Sequence, residues 1–481
     1  MGRKMKPKRK AVTKPARGKP ISKLAARAQR AKPAAAVRYA RSLPVRHEVD
    51  VFVAGGGPAG VAAAVAAARQ GARVFLAEGT ACLGGMGTAA LVPAYMQFGD
   101  GTNFLAGGIG REVLDRLHQA GGTGPDYEPG GDNRRSVAIN AEALKRVYDQ
   151  LLADAGVGFA LHTQMADVLA RRGRVEAVVC AAKSGVFAVR AAAYVDATGD
   201  GDLCAWAGAP FEKGDENGDM MPGTLCSLWS NIDWDTVRSA GLGAGGQKLE
   251  DAFRDGIFTH QDRHLPGMWR VGRDTGGGNI GHTFGVDGTD ERSLTAALVW
   301  GRNLVLEYER YYKQYLKGFE RMELMGTGSL LGLRETRRIM GDYVLGLEDF
   351  RRRASFDDEI GRYSYPVDIH PARPTGKDYD KFMDDWQKLR YGPGESYGIP
   401  YRSLLPRELS NVLVSGRCVS TDRYMQGSIR VMPGCYITGQ ACGAAAAMAA
   451  RAGASPRDVD VRQLQRRLVK LGGFLPNAPR Q

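Results

Sequence analysis

The fold is decided between residues 48 and 78, which read EVDVFVA (48–54), GGGPAG (55–60), an alanine-rich segment to Gln70, and RVFLA (73–77) before Glu78. The two apolar runs predict buried strands, and the alanine-rich segment predicts a helix that ends at Gly71. Strand, tight glycine turn, helix, strand and terminal acid, in that order, are typical of a dinucleotide-binding unit. The sequence therefore predicts phosphates against the glycine turn and ribose hydroxyls at the Glu78 carboxylate.

Each glycine of this turn has a separate task. Gly55 permits the tight turn, Gly57 lets a pyrophosphate approach the backbone, and Gly60 lets the helix pack closely on the strand. The spacing alone is weak evidence, because a chain with 64 glycines repeats it at 241–246 and 276–281. Neither repeat follows an apolar strand or opens a helix, so the prediction is confined to the first glycine turn.

Three later segments favour FAD over NAD as the dinucleotide. ACLGGMGT (81–88) follows the second strand, and YVDATG (194–199) is a predicted strand that ends in a glycine turn. NVLVSGR (411–417) is another strand and turn, and GSIRVMPG (427–434) leads into a helix that we expect to reach about Arg451. The N-terminus of that helix would stabilise negative charge on a reduced flavin.

With their spacing, these segments resemble the FAD-dependent oxidoreductase family of the glutathione-reductase-type superfamily, from about residue 47 to 455. That superfamily includes fumarate reductase flavoprotein subunits, para-hydroxybenzoate hydroxylase and tRNA-modifying enzymes of the GidA type. GLRETRRI (332–339) and SYPVDIH (364–370) resemble two further family segments, with Thr336 where Ser is usual. In the predicted loop before Gly427 many relatives carry a His, whereas Arg423 stands there in this sequence.

The resemblance implies an α/β fold with a discontinuous, Rossmann-like FAD-binding domain, a β-meander and an inserted α+β substrate or cap domain. We assign 47–205 and 400–455 to the FAD-binding domain, 206–399 to the inserted domain, and 456–481 to a C-terminal helix and tail. Within the inserted domain we predict a long helix from about Glu291 to Leu316. The residues that the motifs indicate for FAD binding are Gly55, Gly57, Pro58, Ala59, Gly60, Glu78, Gly85, Met86, Thr88, Thr198, Gly199, Gly416, Arg417 and Met432.

A flavin enzyme needs a proton acceptor and suitable charge beside its substrate. Asp368 and His370 lie two apart on a predicted strand, where they would act as a base and its orienting group or form a structural pair. Arg334 and Arg430 would bind an anionic substrate, or the basic segment around Arg334 would pair with acids such as Glu335. The predicted catalytic residues are therefore His370, Asp368, Arg334 and Arg430.

The histidines and cysteines give little indication of a metal. His260 and His264 lie four apart with Asp262 between them, but no third ligand is apparent in the sequence. His282 follows a glycine in a predicted loop, where structural and functional roles both stay open. The seven cysteines form no CxxC pair, which argues against a zinc site and a disulfide framework and favours a reducing compartment.

The N-terminal 46 residues differ from the rest of the chain in charge. Met1 to Arg46 contains 16 Lys and Arg and no Asp or Glu, so the remaining body carries −2 although the whole chain carries +14. This composition predicts a disordered tail that either contacts a polyanion weakly or has no specific partner. No apolar run approaches the about 20 residues of a membrane span, and we expect a cytoplasmic location.

These features predict an FAD-dependent dehydrogenase or reductase of a small organic substrate, anionic if the arginines bind it, with an unidentified electron acceptor. No second strand–glycine turn–helix unit is apparent in the sequence for binding NAD(P)H. The alternatives are a flavin monooxygenase, an RNA-linked flavoprotein that modifies nucleic acid, and a non-catalytic flavin-fold scaffold.

Overall fold

A computed structural model describes residues 36–241, 243–265 and 267–478. Most of the predicted tail, up to residue 35, lies outside the described residues, and residues 36–44 form neither helix nor strand. Across the described ranges, no helix combines the length and the apolar character that crossing a bilayer requires.

Strands and helices are interspersed along the described residues. The strands are β1 (Val45–Ala54), β2 (Val74–Ala77), β3 (Ala94–Tyr95), β4 (Val137–Ala138), β5 (Gly158–Ala160), β6 (Gln164–Arg171), β7 (Arg174–Ala182), β8 (Gly185–Asp196), β9 (Phe211–Lys213), β10 (Ser227–Ser230), β11 (Gly267–Arg270), β12 (Gly276–Asn279), β13 (Glu323–Thr327), β14 (Arg337–Ile339), β15 (Glu359–Tyr363), β16 (Tyr397–Pro400) and β17 (Val412–Val414). The α-helices are α1 (Pro58–Arg69), α2 (Ile109–Gln119), α3 (Ala141–Asp154), α4 (Asp202–Trp206), α5 (Trp234–Ala240), α6 (Gln247–Arg254), α7 (Glu291–Tyr315), α8 (Leu347–Arg351), α9 (Gly376–Lys388), α10 (Arg423–Ile429), α11 (Met432–Ala452) and α12 (Val461–Lys470).

A seven-stranded sheet carries the glycine turn. Its order is β5–β2–β1–β8–β7–β6, and β17 also pairs with β8. β1 runs parallel to β2 and β8, with Val53 opposite Leu76 on one side and Val195 on the other. β17 runs parallel to β8, so the chain returns near its C-terminus to the sheet that it began. This confirms the discontinuous Rossmann-like domain, and the antiparallel run β6–β7–β8 confirms the β-meander.

Helices α1 and α11 pack against each other without large side chains between them. Gly439 and Gly443, one turn apart on α11, lie against the backbone of Ala59 and Ala63 on α1. A Cβ at either glycine would overlap the carbonyl oxygen of the facing alanine. Small residues here allow the two helix backbones to approach closely, which brings the first turns of both helices together beside the sheet.

The inserted region has a second, antiparallel sheet of its own, in the order β11–β12–β10–β13. Helix α7 covers it, and Trp229, Tyr308, Tyr311 and Tyr312 are fully buried in the core that they share. Asp290 caps α7, because its side chain accepts hydrogen bonds from the first-turn N–H groups. The α+β character of the insertion and the predicted long helix are thereby confirmed.

Strand β1 begins earlier than predicted. The sequence places its start at Glu48, whereas the strand runs from Val45 and pairs with β8 from that residue onward. The Arg46 guanidinium also donates to the Ser184 hydroxyl at 2.6 Å, which ties the strand's first residues to the β7–β8 turn. Residues 45 and 46 therefore belong to the sheet and not to the basic tail.

Two predicted local structures near the candidate catalytic residues are wrong. The segment 364–370 is not a strand, because Pro366 has no N–H to donate and the Val367 N–H donates to the Leu389 carbonyl outside any ladder. The predicted loop before Gly427 is helix α10, which begins at an Asp422 cap that accepts from the Met425 N–H. Propensity alone does not reveal either feature.

Candidate functional site

The glycine turn after β1 has the shape that a pyrophosphate needs. Gly55 has a φ of +91°, and a Cβ there would lie 2.7 Å from the Ala197 carbonyl oxygen. At Gly60 a Cβ would overlap the Gly55 carbonyl oxygen, so this glycine lets α1 pack against the turn. Beside Gly57, in contrast, no described atom lies within 4 Å of an added Cβ. Two glycines therefore serve the fold, and Gly57 borders open space.

The start of α1 offers unpaired donors to that open space. Pro58 is the first residue of the helix, and no side chain caps the first turn. Uncapped N–H groups and the helix dipole favour a phosphate at this position. The buried Glu78 carboxylate, at the end of β2, accepts from the Gly56 N–H and the Thr80 N–H, each at 2.7 Å. It is thus held at the turn by two backbone donors.

The segment after β2 folds back over the glycine turn. The Gly84 N–H donates to the Gly56 carbonyl at 2.8 Å, and Gly85, at φ +49°, lies close enough that its Cβ would be 3.3 Å from the Gly57 Cα. Thr88 is buried and donates to the Leu83 carbonyl at 2.6 Å, so its hydroxyl supports the loop. Met86 lies in the same short helical turn, and a Cβ on Gly87 would lie 3.0 Å from the Met432 sulfur.

The turns after β8 and β17 form the third side of the open space beside Gly57. We call this space, which the glycine turn and the segment after β2 also border, the dinucleotide groove. The Thr198 hydroxyl donates to Asp196, and a Cβ on Gly199 would lie 3.1 Å from the Arg417 guanidinium. Arg417 is buried and pairs with Asp200 at 2.6 Å, yet its Nε has no hydrogen-bond partner among the described residues. A buried donor without an acceptor fits a bound polar group. The groove therefore offers open space, uncapped helix N–H groups and an unpaired buried donor, which suit the predicted FAD.

The groove continues to the start of α11. Gly416 adjoins both Ala59 of α1 and Cys435 of α11, and the Cys435 thiol donates to the Arg430 carbonyl at 3.2 Å. No side chain caps the first turn of α11, which carries Met432 and Pro433. The first turn of α11 thus connects the dinucleotide turn to the predicted catalytic residues.

Three of the four predicted catalytic residues are in direct contact. The Arg430 guanidinium donates to Asp368 Oδ2 at 2.9 Å, and His370 Nε2 lies 3.3 Å from Asp368 Oδ1. All three side chains are largely buried, and the Arg430 Nε has no hydrogen-bond partner among the described residues. Asp368 and His370 are therefore in contact, as predicted, although the segment that carries them is not a strand.

Arg334 lies beside this group but is held by the inserted domain. Its guanidinium donates to the Pro222 carbonyl and the Thr224 hydroxyl, each at 2.9 Å, and to Asn279 at 3.3 Å. Burial, together with the positive charge of Arg430, lowers the pKa of Arg334 to about 10. Its backbone carbonyl accepts from the Gln426 amide of α10 at 2.9 Å, which connects it to the helix before Arg430.

The remaining arginines of the basic segment form ion pairs. Arg337 pairs with Asp202 at 2.6 Å, and Arg338 pairs with Glu335 at 2.6 Å. Arg423, which stands where relatives carry a His, lies 3.3 Å from Glu335 and lines a cavity of about 670 Å³ together with Arg338 and His370. Arg337 and Arg338 thus form ion pairs, as the alternative predicts, although the Nε atom of each, like that of Arg430, has no hydrogen-bond partner among the described residues.

His370 has neighbours that the sequence did not connect with it. His370 Nδ1 lies 2.9 Å from His282 Nε2, and the His264 ring lies 4.4 Å from the His370 ring, centroid to centroid. His260, which the sequence pairs with His264, packs instead against Trp300. Burial lowers the pKa of His264, His282 and His370, so all three rings are neutral at pH 7. The sequence singled out His264 and His282 separately, but nothing in it connected them with each other or with His370.

Comparisons with known proteins give one family match and several distant structural neighbours. Residues 50–468 match the model of the family described as FAD dependent oxidoreductase. A search of curated proteins found no match. A geranylgeranyl bacteriochlorophyll reductase-like protein from Thermoplasma acidophilum shares 12% identity at a TM-score of 0.45, over 88% of this chain and 83% of that chain. A p-nitrophenol 4-monooxygenase from Pseudomonas putida shares 13% at a TM-score of 0.38, over 62% and 70%.

Proposed function

The chain belongs to the FAD-dependent oxidoreductase family, and from that premise we propose that it transfers a hydride between a small anionic organic molecule and FAD. When bound, FAD supplies the site that accepts or donates the hydride. The protein's own residues bind the anion, fix its orientation and manage the accompanying proton.

The observation that carries this proposal is the group formed by Arg430, Asp368 and His370. Arg430 holds Asp368 with one nitrogen, while its buried Nε has no acceptor among the described residues. A buried guanidinium N–H favours a charged oxygen as its partner, because charge-assisted hydrogen bonds are the strong ones. A substrate carboxylate at this position would lie next to the first turn of α11, where the dinucleotide groove ends.

Oxidation of a C–OH group sends the C–H hydride to the flavin and releases the hydroxyl proton. We assign that proton to the cluster around His370 and Asp368. Both ring nitrogens of His370 already contact protein groups, at 2.9 Å and 3.3 Å. The ring therefore takes part in proton transfer through the contacts that it makes, and not as an isolated imidazole.

The test is anaerobic bleaching of the FAD-loaded protein by a panel of small 2-hydroxy and 2-amino acids and by the amides of the same compounds. We expect the acids to bleach the flavin faster than their amides. Arg430→Gln should slow bleaching by the acids by about 10- to 100-fold, which corresponds to one lost charged hydrogen bond, and should affect the amides less. Arg402→Gln is the matched control, since Arg402 pairs with Asp358 at 2.9 Å in a half-exposed position away from the groove.

Two outcomes contradict the proposal. Equal rates of bleaching by the acids and by their amides in the wild-type protein would contradict the proposal that the substrate is an anion. Product that forms only with oxygen and a reduced nicotinamide would assign a monooxygenase reaction in place of simple hydride transfer.

A further inference from the structure

Three histidines from distant segments meet in the inserted domain. His264 precedes β11, His282 follows β12, and His370 lies in the irregular segment after β15. One potential ligand nitrogen from each ring lies within 4.8 Å of those of the other two, and all three residues are buried. The His264 and His282 rings stack at 5.1 Å, and the His370 ring meets His264 edge-on at 4.4 Å. The rings therefore converge on one point.

Three hydrogen bonds at the close contacts of His282 and His370 would require one proton more than two neutral rings carry. His370 Nε2 lies 3.3 Å from Asp368, His370 Nδ1 lies 2.9 Å from His282 Nε2, and His282 Nδ1 lies 2.9 Å from Asp262. Each neutral imidazole has a single N–H. Two N–H groups cannot serve three contacts, so one contact opposes two lone pairs unless a cation is held there.

The contact with Asp262 is also incomplete. Although 2.9 Å apart, His282 Nδ1 and Asp262 Oδ2 are not aligned for a hydrogen bond, and neither has another partner among the described residues. The side chain of His282 is completely buried and that of Asp262 is 12% exposed. A buried ring nitrogen and a buried carboxylate oxygen without partners are costly in an empty site.

The chemistry of the rings suits a metal ion. Metal ligation requires neutral imidazole, and burial keeps these rings neutral at pH 7. In a tetrahedral zinc site the Zn–N bonds are about 2.0–2.1 Å long, so two ligand nitrogens lie about 3.3–3.4 Å apart. The spacings here, from 2.9 Å to at most 4.8 Å, bracket that value, so small ring rotations suffice. Phe382 and Phe284 pack edge-on against the rings.

We propose that His264, His282 and His370 bind a divalent transition-metal ion, with Zn²⁺ as the best match, and that Asp262 and Asp368 orient two of the rings from outside. Carboxylates behind ligating histidines are the usual second layer of such sites. The charges of Asp262 and Asp368 are balanced by those of Arg334 and Arg430. The ion's own charge therefore calls for an anionic oxygen in its fourth position, from hydroxide or from the substrate.

The role of this ion in the reaction rests on the proposed function, whereas the binding itself does not. With the ion present, His370 would be a ligand, and a hydroxide in the fourth position would take the substrate hydroxyl proton that we assigned to the cluster and become water. Metal binding is measured without substrate, so its failure is distinct from a failure of flavin bleaching.

The experiment uses the full chain with FAD bound, stripped with a chelator and titrated with Co²⁺ and with Zn²⁺ alone. We expect one ion per chain and the visible absorption of tetrahedral Co²⁺ beyond the flavin bands. His264→Ala should abolish both signals, and Asp262→Asn should weaken binding about 10- to 100-fold. His260→Ala is the matched control, because this histidine is near in sequence but contacts Trp300 instead of the cluster, and it should bind like the wild type.

Two results of the titration would overturn the proposal. The first is a wild-type chain that takes up no ion, and the second is an equal loss of metal binding in His264→Ala and His260→Ala. The FAD content of each variant shows whether it has folded. If His264→Ala loses FAD, X-ray absorption at the zinc edge of the wild-type protein replaces the comparison of variants. Three imidazoles around zinc support the site, and fewer than three exclude it. A strongly downfield-shifted imidazole proton that persists when excess Zn²⁺ is added to the wild-type protein would show that the cation between the rings is a proton and not a metal ion.

Discussion

The glycine turn and the histidine cluster are both buried sites, but they are assembled in different ways. The turn takes Gly55, Gly57 and Gly60 from six consecutive residues between one strand and one helix. The cluster takes His264, His282 and His370 from segments up to 106 residues apart. A site built within one supersecondary unit is visible as a spacing in the sequence, whereas a site built by tertiary packing leaves only scattered single residues.

The two sites also differ in what fixes them. At the turn, backbone atoms approach each other so closely that only glycine fits at two of the three positions. At the cluster, side chains of ordinary size are held by aromatic contacts and by two aspartates. We therefore expect the turn to respond to a single added methyl group and the cluster to respond to changes of charge and ligand type.

The largest effect should follow from Gly60→Ala. The new Cβ would overlap the Gly55 carbonyl oxygen, and neither the strand end nor the helix start can move without disturbing the sheet. We expect a loss near the upper end of the about 1–3 kcal/mol typical of overpacked sites, or more. Chemical denaturation of the FAD-free protein measures it. Gly57→Ala is the matched control, since open space adjoins that position, and equal destabilisation by the two variants would contradict the assignment.

The next largest effect, that of Gly57→Val, should separate FAD binding from the stability of the fold. Gly57 has an extended backbone (φ −66°, ψ −177°), which a β-branched residue adopts readily, and no described atom lies within 4 Å of its Cβ position. Gly57→Val should therefore leave the thermal stability of the FAD-free protein nearly unchanged. It should weaken FAD binding by about 10- to 100-fold, the equivalent of losing one or two charge-assisted contacts to the pyrophosphate.

Fluorescence titration with FAD measures this loss, with the melting curve of the FAD-free protein as the control for folding. A Gly57→Val variant that binds FAD like the wild type would place the pyrophosphate elsewhere. One that unfolds without FAD would mean that Gly57, like Gly60, serves packing.

The parts of the fold that the sequence predicts well are those with local signals. The helix from Glu291 has an Asp290 cap and a long periodic pattern, and it ends within one residue of the predicted position. The parallel sheet and the return of residues 412–414 to it likewise follow from apolar runs and glycine turns. In these cases local propensity and tertiary structure agree.

The parts that could not be predicted depend on partners far away in the chain. Residues 364–370 contain apolar residues in a strand-like pattern, but no neighbouring strand is available to them and Pro366 interrupts pairing. The partners of His370 are set by where two loops of the inserted domain pack. The prediction of a base and its orienting group identified the contact between Asp368 and His370, and it missed His282 on the other ring nitrogen.

The smallest effect should come from removing the basic tail, and the structure sets where the cut belongs. The Pro44 carbonyl accepts from the Ala188 N–H at 2.9 Å, and β1 begins at Val45. A deletion of residues 1–40 spares these contacts, whereas one that reaches residue 46 would remove paired strand residues. The deletion of residues 1–40 eliminates 14 of the 16 positive charges that precede His47. We therefore expect unchanged FAD content, an unchanged melting temperature and loss of any salt-sensitive binding to RNA or DNA.

Binding of the full chain and of the shortened chain to a labelled oligonucleotide, each measured at two salt concentrations, tests this expectation. The shortened chain keeps 52 Lys and Arg against 52 Asp and Glu, a net charge of 0, so it has no excess of cations to replace those of the tail. Oligonucleotide binding that survives the deletion would locate a nucleic-acid surface on the folded body and would favour the RNA-linked alternative. Loss of FAD or a lower melting temperature would instead show that the tail contributes to the sheet at the start of β1, which would extend the folded domain into residues that their composition assigns to a solvated segment.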